Sequence, residues 1–274
     1  MFTPTIAKFS ECFKHPNFSL NLTQVTISKG RRADKNNNLE VKGVAQGLSI
    51  SNILASIYLN DLDVKYLEKD NLSYFRYVDD ILILCNKKDI EIIKSSICMS
   101  AEELILEIHE FKDGSDKSTS GVIHKDEFQF LGFKFYDKTL SVREQSVDKL
   151  RDRIIGVFYK NIDSSDKDLY RELNLKISGC IYDNKEYGWM QFFRHIDDQT
   201  LLYSLDSFVK NQFKRFNRKY KGSELKNFTK TYFLLKNYDV DKLDGNTYIP
   251  KFGTKISNEM KILIENMLDD IEFY

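Results

Sequence analysis

Two adjacent aspartates, Asp79 and Asp80, lie between two short apolar segments and place the strongest constraint on this sequence. The flanking segments, residues 72–78 and 81–85, are rich in Ile, Leu, Tyr and Phe, as β-strands commonly are. The sequence therefore predicts a β-hairpin with both acids at its turn. Because neighbouring like charges repel, such a pair is costly unless a cation binds to it.

Carboxylates on a turn are suited to hard divalent cations such as Mg²⁺, which take oxygen ligands. Phosphoryl transfer with two metal ions about 4 Å apart uses ligands of this kind. The alternative is an exposed acidic turn without a ligand, since Asp is a common turn residue. The surrounding segments favour the first interpretation.

Three further segments surround the pair in a fixed order. Upstream, Gln46 and Gly47 open a predicted helix over residues 49–66, in which apolar residues recur at spacings of three and four. Gly47 allows the backbone to approach a ligand closely, and the Gln46 amide can donate and accept hydrogen bonds. Downstream, a segment predicted to be extended ends at Lys112, and residues 130–133 (Phe-Leu-Gly-Phe) follow.

In this order and spacing, the segments resemble the motifs of the reverse transcriptase family. The Gln46-Gly47 step is similar to motif B, residues 77–80 (Tyr-Val-Asp-Asp) to motif C, Lys112 to the motif D lysine, and residues 130–133 to the motif E primer grip. This resemblance covers residues 43–142. Residues 173–180 and 187–189 also resemble the thumb of bacterial reverse transcriptases of the phage-defence and abortive-infection type.

The resemblance implies an RNA-directed DNA polymerase that transfers nucleotides from dNTP to a primer 3′ end with two metal ions. Asp79 and Asp80 would be catalytic metal ligands for Mg²⁺, with Mn²⁺ as an alternative, and Lys112 would act near the departing pyrophosphate. The residues implied to bind template, nucleotide or primer are Gln46, Gly47, Tyr77, Leu131 and Gly132.

The partners implied by the resemblance are an RNA template, a DNA or RNA primer, and dNTPs. A non-coding RNA or a second protein chain is a further candidate partner, in a bacterial antiviral defence role. No segment approaches the roughly 18 apolar residues of a membrane span, and the four cysteines form no C-x-x-C pair. A reducing, cytoplasmic location is therefore the expectation.

The predicted fold class is α+β, with two regions of different character. The resemblance implies a reverse transcriptase palm, a ferredoxin-like mixed sheet with helices, over residues 1–144. Beyond Glu144 the apolar pattern becomes helical, which predicts an all-helical thumb over residues 145–274. The helices predicted there span residues 146–160, 168–181, 199–220 and 257–271.

A basic segment over residues 210–230 lies in the predicted thumb, although the chain has 41 basic and 41 acidic residues. Such a segment is often only a solvated helix face. In a thumb that follows a duplex, its cations would contact phosphates and supply affinity without sequence information. The residues assigned to this contact are Lys210, Lys214, Arg215, Arg218 and Lys219.

The sequence departs from the family upstream of motif B. The family has a motif A aspartate at the end of an apolar strand, but the candidates here are Glu11, Asp34 and Glu40, and none fits that pattern. The fingers are missing too. We therefore expect a fragment of a longer enzyme, or a natural partial protein, with little polymerase activity from this chain alone. The alternative function is a catalytically inactive nucleic-acid-binding module, or a subunit that needs a partner chain for motif A.

Overall fold

The computed structural model describes residues 4–9, 50–106, 108–109, 111, 118–182 and 185–236, with residues 4–9, 182 and 185 described by their backbone. Among these residues, no helix has the length and apolar character needed to cross a membrane. The chain divides into two compact units, residues 1–131 and 132–274. The functional boundary expected near residue 144 stays a prediction.

The first unit contains a four-stranded antiparallel sheet. The elements of this unit are β1 (Pro4–Phe9), α1 (Ser51–Tyr58), α2 (Asn60–Leu67), β2 (Leu72–Tyr77), β3 (Asp80–Asn86), a 3₁₀ turn (Lys87–Asp89), α3 (Ile90–Glu103), β4 (Ser118–Val122) and β5 (Phe128–Phe130). With α1 and α2 as one crossover, the strand order β2-β3-β1-β4 gives the βαββαβ arrangement of ferredoxin-like folds. The α+β prediction is confirmed, but the strand pairs are antiparallel and the sheet is not mixed.

Strand β3 lies between β1 and β2 and carries the core of the first unit. Its side chains alternate, with Ile81, Ile83 and Cys85 buried and the intervening ones half-buried. The buried side chains pack in one apolar cluster with Tyr66 of α2 and Ile97 of α3. Because each buried aliphatic side chain contributes about 1.5–3 kcal/mol, this cluster anchors the carboxylate hairpin, which we define as β2, β3 and the turn between them.

The sequence predicts no strand before residue 49, yet β1 occupies an inner position of the sheet. It pairs with β3 and β4, and Phe9 lies opposite Ile81 of β3 and Ser118 of β4. The segment is short and includes the charged Lys8, so its strand pattern is weak. Strand formation depends on cross-strand neighbours more than on local preference, and those neighbours are distant in the sequence.

The helix predicted over residues 49–66 is two helices, α1 and α2, separated at Leu59. Leu59 is buried and has φ −92° and ψ 1°, away from helical values. The break lets α2 bury Leu62 and Tyr66, whereas α1 buries no side chain completely. Since the apolar spacing continues through the break, the sequence does not reveal it.

The second unit is mainly helical but also contains two small hairpins. Its elements are β6 (Phe133–Tyr136), β7 (Thr139–Val142), α4 (Glu144–Lys160), α5 (Asp166–Ser178), β8 (Cys180–Tyr182), β9 (Lys185–Tyr187), α6 (Trp189–Phe192), α7 (Gln199–Arg215) and α8 (Phe228–Lys236). The all-helical prediction is wrong at β8 and β9, which replace the end of the helix predicted over residues 168–181. The helix predicted over residues 199–220 ends at Arg215, and the one over residues 257–271 lies outside the described residues.

Aromatic side chains form much of the core of the second unit. Trp189, the single tryptophan of the chain, is buried with its ring centroid 4.9 Å from that of Phe193 and 6.0 Å from that of Phe228. Phe158 and Phe213 meet edge to face at 5.0 Å. Such pairs add to the stability that burial alone provides, and a buried Trp189 reports on the folding of this unit.

Two glycines explain why the chain leaves the helix after Ser178. Gly179 has φ 64° and ψ −168°, and Gly188 has φ 120° and ψ 157°, a region that is essentially restricted to glycine. Their backbones also touch, because a Cβ on Gly188 would lie 2.5 Å from Gly179 Cα. A Cβ on Gly179 would lie 2.2 Å from the carbonyl oxygen of Tyr187. The β8–β9 hairpin therefore requires both glycines.

We expect Gly179→Ala or Gly188→Ala to lower the free energy of unfolding of the second unit by about 3 kcal/mol or more, because backbone strain and steric overlap add. Gly156→Ala in α4 is the matched control, since a Cβ there meets nothing within 4 Å. Removing a helical glycine should instead raise stability by about 0.5–1 kcal/mol. Trp189 fluorescence during urea unfolding measures all three variants, and equal stabilities would contradict the backbone crossing.

Candidate active site and nucleic-acid interface

The carboxylate hairpin reverses direction within two residues. Strand β2 ends at Tyr77, β3 begins at Asp80 directly opposite, and Val78 and Asp79 form the turn. Val78 has a φ of 54°, a conformation that costs a β-branched residue about 1–3 kcal/mol. The predicted hairpin with both acids at its turn is confirmed. Backbone strain of this kind is concentrated at functional sites.

One side of the hairpin is open and carries exposed aromatic rings beside the acids. Phe75 and Tyr77 are 50% and 62% exposed, and they lie opposite Leu82 and Asp80 on β3. We call the surface formed by these four residues the open face. Asp80 on this face and Asp79 in the turn are both half-buried, so a cation can reach them. Exposed rings at such a surface can stack on nucleotide bases or sugars.

Behind the turn, Arg76 joins the hairpin to α2. Its Nε donates to Asp63 Oδ1 at 2.7 Å, its Nη2 to Asp63 Oδ2 at 2.5 Å, and its Nη1 to the carbonyl oxygen of Val78 at 2.8 Å. The Tyr74 hydroxyl also donates to Asp63 Oδ1, at 2.9 Å. The hydrogen bonds that Asp63 accepts from Arg76 raise the pKa of Arg76, and burial together with the negative charge of Asp63 raises the pKa of Tyr74. Arg76 therefore stays a cation and Tyr74 a donor.

Arg76 and Asp63 are not among the residues predicted from the sequence. The signal that could have found them is the alternation of β2, which puts Arg76 on the same side as the buried Tyr74. An arginine on a buried face needs an anionic partner, and the first turn of α2 offers Asp61 and Asp63. Local patterns do not show which of the two aspartates Arg76 reaches.

The predicted primer-grip residues Leu131 and Gly132 both have positive φ values, 51° and 82°. Two successive residues of this kind are typical of a type I′ turn. The carbonyl oxygen of Gly132 accepts a hydrogen bond from the Arg143 N–H at 2.9 Å, and a Cβ on Gly132 would lie 3.6 Å from Phe193 Cζ. The structure thus gives these residues a role in the turn, and their contact with a primer stays a prediction.

Several predicted site residues lie outside the described part of the chain. These are Gln46, Gly47 and Lys112, together with the acids Glu11, Asp34 and Glu40. Within the part that the structure describes, no group of three or more His, Cys, Asp or Glu side chains could hold a metal ion. The site geometry therefore rests on Asp79, Asp80 and the residues that surround them.

The cations predicted to bind nucleic acid are of two kinds. The exposed ones are Lys210, Lys214 and Arg215 on α7 and Lys219 in the following loop. Arg218 instead donates to the carbonyl oxygens of Ile162 at 3.2 Å and Ser164 at 2.8 Å, and pairs with Asp166 at 3.0 Å. Its guanidinium connects the loop after α7 to the loop after α4, so the Arg218 side chain has a structural role.

The basic loop, residues 216–227, is also fastened to α5. The Tyr170 hydroxyl donates to the carbonyl oxygen of Lys219 at 2.5 Å and accepts from the N–H of Lys221 at 2.9 Å. The Asn174 amide donates to the carbonyl oxygen of Glu224 at 2.9 Å and accepts from the N–H of Lys226 at 2.7 Å. The exposed ammonium group of Lys219 is therefore carried on a fixed backbone.

Comparison with known proteins relates the first unit to a polymerase family. Residues 7–135 match a family model described as reverse transcriptase (RNA-dependent DNA polymerase). The matched range begins within β1 and ends within β6, so it includes the end of β1, the carboxylate hairpin and β4. The match supports the reverse transcriptase family and a nucleotidyl-transferring kind of function, which in that family uses divalent metal ions, template, primer and nucleotides. No curated protein matches the chain.

We expect Arg218→Ala to lower the free energy of unfolding of the second unit by about 2–3 kcal/mol, because it leaves two backbone carbonyls and Asp166 without their donor. Lys219→Ala, the neighbouring control, should change stability by less than about 0.5 kcal/mol. Urea unfolding followed by Trp189 fluorescence distinguishes them. If both variants were destabilised equally, the division of these cations into structural and exposed ones would be wrong.

Proposed function

We propose that the chain is an RNA-directed DNA polymerase of the reverse transcriptase family, which transfers a nucleotide from dNTP to a primer 3′ end. The observation that carries the proposal is the strained turn that presents Asp79 and Asp80 beside the open face of a ferredoxin-like sheet. The match of residues 7–135 to the family supports it. If the turn bound no ligand, neither the backbone strain at Val78 nor the contacts of Arg76 with Asp63 and Val78 would have a functional explanation.

The donor chemistry of the turn fits Mg²⁺, with Mn²⁺ as an alternative. Asp79 and Asp80 supply hard oxygen ligands, and Mg²⁺ commonly uses one or two carboxylates while keeping several waters. When bound, two such ions stabilise the charge on the attacking and leaving oxygens of an in-line displacement. The task of the two aspartates is to hold the ions where the primer hydroxyl and the triphosphate meet.

The remaining roles in the proposal belong to residues that would contact the substrates. Lys112 would donate a proton to the departing pyrophosphate, a task suited to a lysine ammonium. Tyr77, exposed on the open face, would contact the template or nucleotide. The other residues assigned to template, nucleotide or primer are Gln46, Gly47, Leu131 and Gly132.

The presence of a third carboxylate ligand would distinguish an active polymerase from the alternative function, an inactive nucleic-acid-binding module. In the family it would come from a strand upstream of Gln46, and β1 is such a strand, paired with β3. The last residues of β1 are Lys8 and Phe9, and neither side chain is a carboxylate. We propose that the chain alone therefore catalyses extension poorly. Glu11, two residues further along the sequence, is the first acid after β1.

The exposed cations of the second unit are the proposed contact with duplex phosphates. Lys210 and Lys214 are one helical turn apart on α7, and Lys219 follows on the fastened basic loop. Arg215 is exposed and lies 5.7 Å over the ring of Phe216, which restricts its position. Held in this way, the cations give up less side-chain and backbone freedom on binding, and this lowers the entropic cost.

We further propose a role in bacterial antiviral defence, with a non-coding RNA or a second protein chain as a partner. Its support is the resemblance of residues 173–180 and 187–189 to defence-type thumbs. In this chain those residues form the crossing of Gly179 and Gly188, a structural feature. The assignment therefore depends on the sequence resemblance, and co-purification of RNA with the chain is the direct test.

We expect Mn²⁺ to bind weakly to the full chain and Asp79→Asn or Asp80→Asn to abolish that binding, because each removes a charged ligand. Titration followed by electron paramagnetic resonance of free Mn²⁺ measures it. Asp137→Asn, at the turn between β6 and β7, is a matched control and should bind as the wild type does. Unchanged affinity in both Asp79 and Asp80 variants would exclude a metal site at this turn.

A primer-extension assay tests whether the chain lacks a third carboxylate ligand. With a primed RNA template, dNTP and Mg²⁺, we expect extension by residues 1–274 to stay near background. Robust extension would contradict this, and Glu11→Gln, Asp34→Asn and Glu40→Gln would then show which acid is responsible. In an active chain, Asp79→Asn should reduce the rate by several orders of magnitude, because the ligand acts mainly in the transition state.

Neutralising the exposed cations should weaken duplex binding equally for all sequences. For the triple variant Lys210→Gln, Lys214→Gln and Lys219→Gln, the slope of log affinity against log salt should fall by about one unit for each phosphate that is no longer neutralised. The control is a triple variant of exposed lysines elsewhere in the same unit, namely Lys138, Lys149 and Lys167. Fluorescence anisotropy with a labelled duplex compares them. An equal weakening in both would mean that net charge, and not this surface, governs binding.

A further inference from the structure

The Arg76 guanidinium is fixed by contacts at all three of its nitrogens. Two of them, Nε and Nη2, form a bidentate pair with the two oxygens of Asp63, at 2.7 and 2.5 Å. The third, Nη1, donates to the carbonyl oxygen of Val78 at 2.8 Å. Because the guanidinium is planar and rigid, its position on Asp63 determines where the Val78 carbonyl must lie.

The Val78 carbonyl belongs to the peptide that joins the two turn residues. That peptide is a rigid plane, so holding its oxygen also sets the direction of the Asp79 N–H and the start of the Asp79 side chain. Val78 has a φ of 54°, which a β-branched residue avoids unless its surroundings enforce it. The hydrogen bond from Arg76 is a side-chain contact that opposes a return of Val78 to an ordinary conformation.

Asp63 is itself held in place, so the constraint extends back to the core. It lies on α2 between the buried Leu62 and Tyr66, which pack against the sheet, and it accepts a further hydrogen bond from Tyr74. The Arg76 and Asp63 side chains are only 10% and 20% exposed, so water screens the pair weakly. A charge-assisted, bidentate pair of this kind is among the stronger polar contacts in proteins.

We propose that Arg76 and Asp63 are positioning residues that hold the peptide between Val78 and Asp79, so that Asp79 and Asp80 face one cation. This inference rests on the proposed function of the carboxylate pair. In this proposal Arg76 acts through the turn, because its three guanidinium nitrogens are bound to Asp63 and to the Val78 carbonyl. The requirement is geometric, because a lysine keeps the charge at position 76 but lacks the three nitrogens that reach Asp63 and Val78 together.

Hydrogen exchange of the full chain tests the positioning without any metal. In Arg76→Lys, amides of residues 77–82 should exchange about tenfold faster than in the wild type, the change expected when one charge-assisted hydrogen bond no longer opposes opening. Arg194→Lys is the matched control, because Arg194 Nη1 makes a similar two-oxygen contact with Glu186 at 2.6 and 2.7 Å in the second unit. Unchanged exchange in Arg76→Lys, or equal acceleration in the control, would overturn the proposal.

Mn²⁺ binding links the positioning to the site. Arg76→Lys and Asp63→Asn should each weaken Mn²⁺ binding about tenfold, the effect of removing one fixed supporting hydrogen bond, and Arg194→Lys should not. Val78→Gly added to Arg76→Lys should restore part of the affinity, because glycine adopts a positive φ without enforcement. Wild-type affinity in Arg76→Lys would overturn the inference. Wild-type affinity in Asp79→Asn and Asp80→Asn would instead overturn the metal site, and the exchange result would still decide the positioning.

Discussion

The first unit depends on β3, an inner strand that is hydrogen-bonded along both edges, to β2 and to β1. Pairing on both sides satisfies its backbone polar groups and lets Ile81 and Ile83 be buried against the helices. Asp80 is the first residue of this strand, so a carboxylate stands at the start of an inner strand of the sheet. On a loop, the same pair of acids could move apart and lower their repulsion. At the start of an inner strand, the backbone of Asp80 is fixed by its pairing, which limits how far the two acids can separate.

Because side chains alternate along a strand, one face of the hairpin packs against the fold and the other face is accessible. Toward α2, Tyr74 and Arg76 make the contacts that hold the turn. On the open face, Phe75 and Tyr77 contribute little to the core and remain accessible. A change on one side can therefore alter ligand contacts with small effects on folding, whereas a change on the other side acts on both.

The basic loop of the second unit also contains both kinds of residue: one cation that stabilises the fold and another that is exposed. Arg218 uses the several donors of a guanidinium to reach two backbone carbonyls and Asp166, a task for which arginine is better suited than lysine. Its neighbour Lys219 has an exposed ammonium group, while its carbonyl oxygen is bound by Tyr170. A count of charges along the sequence treats Arg218 and Lys219 alike, and the three-dimensional contacts do not.

The sequence by itself determined the carboxylate hairpin and the change to helices at Glu144, because strand composition and helical periodicity are properties of neighbouring residues. The order of its motifs also indicated the family that residues 7–135 match. Only the tertiary structure decided that residues 4–9 form an inner strand and that the helix predicted over residues 168–181 ends at Ser178. It also decided that Arg76 meets Asp63, thirteen residues earlier in the chain. These outcomes depend on strand partners, backbone crossings and ion pairs that form across the fold, and the energies of such contacts are set by distance and burial, which local sequence patterns do not contain.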